Sequence, residues 1–131
     1  MIVLDTHALI WWLGEPERLS KRARSVVDEA AQEKRLLVSS ISAWEAAMLV
    51  SKGRLSLRLP FADWLRQAEA LPFLSFVPVD NAIAVRSVEL PSPLHPDPAD
   101  RIIVATALQL GARLVTRDQK LRQYEPVRTV W

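Results

Sequence analysis

Six carboxylates stand where chemistry would need them. Asp5 follows the apolar run Met1–Leu4, Asp80 follows Phe76–Val79, and Asp118 follows Arg113–Thr116. Glu45 lies in the segment after Leu36–Val38, and Asp97 and Asp100 open the apolar stretch 99–110. Singly, each has a structural explanation. Ser42-Ala43-Trp44-Glu45 reads as a capping box. Asp97 before Pro98 is a good N-cap, and Asp100 suits the positive end of a helix dipole. Asp80 reads as an N-cap and Asp118 as a turn residue. Together they imply more. Crowded carboxylates cannot all stay ionised without compensation. Hard divalent cations supply it, since Mg²⁺ takes oxygen ligands and leaves room for water and phosphate. Such an ion can activate water toward a phosphodiester and stabilise the leaving oxygen. Of the 15 acids, setting aside Asp5, Glu45, Asp100 and Asp118 leaves 11 against 17 basic side chains, a surface suited to a nucleic-acid backbone.

These acids need a scaffold that brings distant segments together. Short apolar runs at Met1–Leu4, Leu36–Val38, Phe76–Val79, Arg113–Thr116 and Val127–Val130 predict strands. Helices are predicted over Ala8–Leu13, 20–33, Ser42–Ser51, Phe61–Leu71, Asp80–Leu90 and Ala99–Leu110. The last is apolar almost all round and should be buried, with Pro98 at its start and Gly111 at its end. Alternating strands and helices predict a three-layer α/β/α sandwich around a parallel sheet of four to five strands. In such sheets, ligands bind beyond the carboxyl ends of the strands. The prolines 91, 93, 96 and 98 read as one rigid loop, not a boundary, so residues 1–131 are expected to form a single domain.

Composition removes several classes. The 131 residues contain no cysteine, which excludes disulfide scaffolds and thiolate chemistry and suits a cytoplasmic location. Three glycines cannot build a Gly-rich phosphate cradle. No apolar run approaches the roughly 18 residues of a membrane span, so no membrane partner is expected. Met1–Asp5 lacks the basic start of a signal peptide. The net charge of +2 is only a weak pointer to a polyanion.

Four segments carry a resemblance. Leu4-Asp5-Thr6-His7-Ala8-Leu9-Ile10-Trp11-Trp12, Ser39-Ser40-Ile41-Ser42-Ala43-Trp44-Glu45, His95-Pro96-Asp97-Pro98-Ala99-Asp100-Arg101 and Leu114-Val115-Thr116-Arg117-Asp118 occur in order over nearly the whole chain. In this the sequence resembles the PIN-domain ribonucleases, in particular the VapC-like toxins of type II toxin–antitoxin systems. The resemblance implies Mg²⁺- or Mn²⁺-dependent cleavage of RNA, a small antitoxin partner and a homodimer. It matches Asp5, Glu45, Asp100 and Asp118 to the four site acids, with Asp5 and Asp100 as metal ligands. It leaves Asp80 structural, and Asp97 as a cap or a support for the ligands.

Around these acids, Thr6 and Thr116 could hydrogen-bond the carboxylates, and Arg117 and Lys120 could contact RNA phosphates. Arg101 could tie down neighbouring acids. His7 and His95 could be general bases or ligands, although acid-rich Mg²⁺ sites need no imidazole. Trp11, Trp12 and Trp44 read as core or interface. Trp64, with Leu55, Leu57, Leu59, Phe61 and Leu65, could present an apolar surface to an antitoxin helix or simply pack. Two other classes fit an Asp after a first strand. An aspartate-dependent phosphatase needs a second nearby Asp, which Asp5-Thr6-His7 lacks. A non-enzymatic signalling or partner-binding module would show no metal-dependent activity.

Overall fold

In the computed structural model, which describes residues 1–131, five strands form one sheet in the order β3-β2-β1-β4-β5, every pair parallel. They are β1 (Ile2–Leu4), β2 (Leu36–Ser39), β3 (Leu74–Val77), β4 (Arg113–Val115) and β5 (Thr129–Val130). The helices are α1 (Thr6–Gly14), α2 (Lys21–Gln32), α3 (Ser40–Ser51), α4 (Phe61–Glu69), α5 (Asn81–Val88), α6 (Pro98–Leu110) and α7 (Gln119–Arg122). A 3₁₀ turn, Pro16–Arg18, joins α1 to the segment before α2.

The strands are apolar on both faces, as a sheet covered on both sides requires. Ile2, Leu4, Leu36, Val38, Leu74 and Val115 pack beneath α1 and α2 with Leu9, Ala23, Val27 and Ala30. Val3 and Leu114 point the other way, onto Ile103, Val104 and Ala107 of α6 and Leu121 of α7. This alternation makes the two cores, and hence the three expected layers.

Two expected elements shift. The third strand begins at Leu74 rather than Phe76, because buried Leu74 pairs with Leu36 and Pro78 lies beyond the strand's end. The third helix begins at Ser40, two residues early, because Ser39 caps it by accepting the Ile41 N–H at 3.2 Å. Ser42 therefore lies inside α3, and the expected capping box with Glu45 does not form. Helix α6 ends as expected at Gly111, whose φ is 62°. A Cβ there would touch nothing within 4 Å, so the cost of Gly111→Ala is the left-handed backbone alone. Denaturant unfolding should show a loss of about 1 kcal/mol.

The chain passes from β1 to β2 on one side, then returns from β3 through α5 and α6 to β4 on the other. The strand order reverses between β1 and β4. That reversal opens a crevice at their carboxyl ends, where the first residues after each strand project.

Candidate active site

Asp5 is the first residue after β1 and the N-cap of α1. Its Oδ1 accepts the Ala8 N–H at 2.8 Å, and its own N–H donates to Val115 O at 3.1 Å. The residue is only 8% exposed. Burial pushes its carboxyl above the usual range; hydrogen bonds from Thr116 and Ala8 pull against that. Thr116, fully buried, also accepts the Asp118 N–H at 3.1 Å. One hydroxyl thus joins the acid after β1 to the segment after β4.

Glu45 is fixed by a parallel device. Thr6 Oγ1 lies 2.9 Å from Ser42 Oγ and donates to Glu45 Oε1. A hydroxyl has one proton and a carboxylate can only accept. Thr6 therefore gives its proton to Glu45 and receives one from Ser42. Thr6→Val keeps the shape and removes the relay. It should weaken divalent-ion binding about tenfold, read by calorimetry, as loss of an outer support does in metal sites.

Asp97 caps α6, its Oδ1 accepting the Asp100 N–H at 3.0 Å. Asp100 is pushed up to about 7, first by burial and then by Asp97, Glu45, Asp118 and Asp5. Asp118 caps α7 through the Lys120 N–H at 2.8 Å and is exposed.

The four acids share one open cleft of about 490 Å³ with Thr6, His7, Trp11 and Arg117. They arrive from four places: the ends of β1 and β4, the second turn of α3 and the first turn of α6. Arg117 reaches over the Trp11 ring, 5.9 Å from its centre, and Arg18 approaches the same ring at 4.6 Å. Lys120 does not line this cleft; it borders a neighbouring groove with His95 and Tyr124. Asp80 caps α5 through Ile83 N–H and does not line the cleft.

Other expectations fail. Arg101 does not touch the acids. Its guanidinium donates to the carbonyls of Ser87, Leu94, His95 and Val88 and so holds the proline loop. Four nearby carbonyls outcompete carboxylates that their own caps already orient. Trp44, expected in core or interface, is 55% exposed because α3 turns that face outward, so it is not core and the interface half of the expectation stands. Trp11 is core, and it also floors the cleft. His95 lies beside Asp100 and Asp118, close enough for all three to ligate one ion. Its position is legible only from the fold, since nothing in the spacing of His95 and Asp100 says which way the loop turns.

The donor set fits a hard divalent cation. The cleft offers carboxylate oxygens in excess of cationic side chains, with Arg117 the one cation lining it. The raised Asp100 also marks negative charge that lacks compensation within the protein.

The comparisons with known proteins agree with this architecture. The chain is 41% identical over 133 residues to Ribonuclease VapC22 of Mycobacterium tuberculosis, covering 99% of this chain and 98% of the relative. It superposes on VapBC2 from Rickettsia felis, solved bound to a DNA fragment from their promoter, with a TM-score of 0.73 and 18% identity over 99% and 98% of the two chains. DNA-bound VapBC from Salmonella typhimurium gives a TM-score of 0.67 and 19% identity over 98% and 96%. The PIN domain model matches residues 2–125. With a family pattern spanning nearly the whole chain and its acids gathered where the strand order reverses, the protein belongs to the PIN domain family.

Proposed function

We propose that this protein is a metal-dependent endoribonuclease and the toxin half of a toxin–antitoxin pair. The observation that carries the proposal is the cleft itself: four carboxylates from four separate elements, in a chain 41% identical to a ribonuclease. Asp5 and Asp100 would hold the ion, Mg²⁺ or Mn²⁺, with Glu45 and Asp118 completing the site. The bound ion would supply charge compensation and Lewis-acid chemistry at a phosphodiester.

The protein's own groups do the rest. Thr116 and the Ala8 N–H keep the Asp5 oxygens in one orientation. Thr6 does the same for Glu45, and Asp97 fixes the start of the helix that carries Asp100. Glu45 and Asp118, which line the same cleft, would orient a water toward phosphorus. Arg117, at the cleft, and Lys120, in the adjoining groove, would bind flanking RNA phosphates.

The likeness to toxin–antitoxin complexes supports a small antitoxin partner, and the proposal includes a homodimer in the cytoplasm, formed from residues 1–131 as one domain. No helix is long and apolar enough to cross a membrane.

The test is cleavage of total cellular RNA by purified protein with Mg²⁺, Mn²⁺ or EDTA. Discrete fragments that need the metal are expected, and end-mapping gives the sites. Intact RNA after incubation with folded, metal-loaded protein free of antitoxin would overturn the nuclease reading and favour a binding module. A trapped phosphoryl-aspartate would instead favour the phosphatase.

A further inference from the structure

The chain contains two histidines, and the fold treats them differently. His7 is exposed at the cleft, its ring 5.6 Å from that of Trp11. His95 is on the loop before α6, with its side chain 17% exposed. Its Nε2 is shielded from solvent and has no hydrogen-bond partner in the protein. That atom lies 3.4 Å from Asp100 Oδ2. One ligand atom each from His95, Asp100 and Asp118 falls within 4.8 Å of the others. Buried polar atoms without partners are rare in folded proteins, and each calls for an account.

The ring is presented by fixed backbone. Arg101 donates to Leu94 O at 3.2 Å and His95 O at 3.4 Å, and its Nε to Ser87 O at 2.9 Å. The Tyr124 hydroxyl donates to Pro91 O at 2.6 Å. Pro91, Pro93 and Pro96 each remove backbone freedom on the same loop. A charged side chain that ties loop carbonyls to the last carbonyls of α5 is the support expected behind a preorganised ligand. The 3.4 Å approach to Asp100 makes no hydrogen bond, so orienting that carboxylate does not use the nitrogen.

We propose that His95 Nε2 is a further direct ligand of the divalent ion at Asp100, on the side where Asp118 approaches, which makes the centre a mixed nitrogen–oxygen site that prefers Mn²⁺ to Mg²⁺. The proposal rests on the metal-dependent reading above. The ring's proton then sits on Nδ1, leaving the Nε2 lone pair for the ion. Mg²⁺ takes oxygen ligands and keeps its waters. Imidazole suits transition-metal ions, and Mn²⁺ accepts it alongside carboxylates. His95 would thus tune a selectivity that four acids alone leave open.

The probe is Mn²⁺ added to untagged protein without RNA, read by pulsed electron paramagnetic resonance. Because only two imidazoles exist, a directly bound ring nitrogen belongs to one or the other. Wild type and His7→Ala should show nitrogen coupling to Mn²⁺. His95→Ala and the bulk-preserving His95→Gln should lack it. Both should bind Mn²⁺ at least about tenfold more weakly by calorimetry. Mg²⁺ affinity should change by less than about threefold. Bound Mn²⁺ without nitrogen coupling in the wild type, or coupling that survives in both His95 variants, overturns the assignment of His95 and leaves the acid site standing. Failure to bind either ion overturns the metal-site reading and this inference with it.

Discussion

Asp5→Asn is expected to lower metal-dependent RNA cleavage by about a thousandfold or more, roughly 4 kcal/mol of transition-state stabilisation, in a protein that still folds. The two halves of this expectation have separate causes. The asparagine oxygen can still accept the Ala8 N–H, and Asn is as good an N-cap as Asp. Helix α1 therefore keeps its start. What disappears is a negative charge held in a nearly dry position, where burial already opposes ionisation. Removing it relieves the metal-free protein and deprives the ion of a ligand. Single-turnover cleavage and thermal unfolding, run on the same preparations, check both. A variant that cleaves at the wild-type rate would falsify the role given to Asp5. Lost cleavage with a melting temperature far below wild type would show Asp5 to be structural.

The second large effect is the pH dependence centred on Asp100. Its carboxyl is raised from 3.8 to about 7, chiefly by burial and then by four neighbouring acids. The sign follows from proton counting. Between about pH 4 and pH 7 the folded, metal-free protein binds a proton that the unfolded chain has already lost. Stability should therefore fall as pH rises through that window and level off above 7. Asp100→Asn should remove its share of the slope, leaving that of Asp5, and stabilise the metal-free protein at pH 8 by about 1–2 kcal/mol, a figure reduced for the solvent that reaches the group. Metal affinity should run the opposite way, because ion and proton compete for the same oxygens. It should rise about tenfold per pH unit from pH 5 to 7 and then flatten. Calorimetric titrations at four pH values test this. A flat profile would mean that Asp100 is already ionised in the free protein.

Much of this arrangement was legible from the chain. Asp5 was legible because three buried apolar residues end at an acid and a helix begins. The frame of α6 was legible because Asp97, Pro98 and Gly111 mark its ends. Glu45 was placed in the right segment for the wrong reason. Ser39 and Ser42 are both plausible caps, and the choice is made by Thr6, which comes from 36 residues away to occupy Ser42. Arg101 was misread because its partners are carbonyls, which every residue carries and no spacing reveals. The limit is general here. Local grammar names the ends of elements, whereas the partner of a side chain depends on which segment the sheet order brings alongside.

The position of β1 at the centre of the sheet also dictates when the cleft can exist. Translation makes β1 first, and its partner on one side, β2, soon follows. Its other partner, β4, is pairing Leu4 with Val115, more than a hundred residues later. Until β4 emerges from the ribosome, that edge of β1 has no ladder and Thr116 and Asp118 have not been joined to the chain. Contacts this remote make folding slow and late. The nascent polypeptide thus leaves the ribosome with Asp5 and Glu45 exposed before any cleft is complete, and the last of the four acids follows Asp5 by more than a hundred residues.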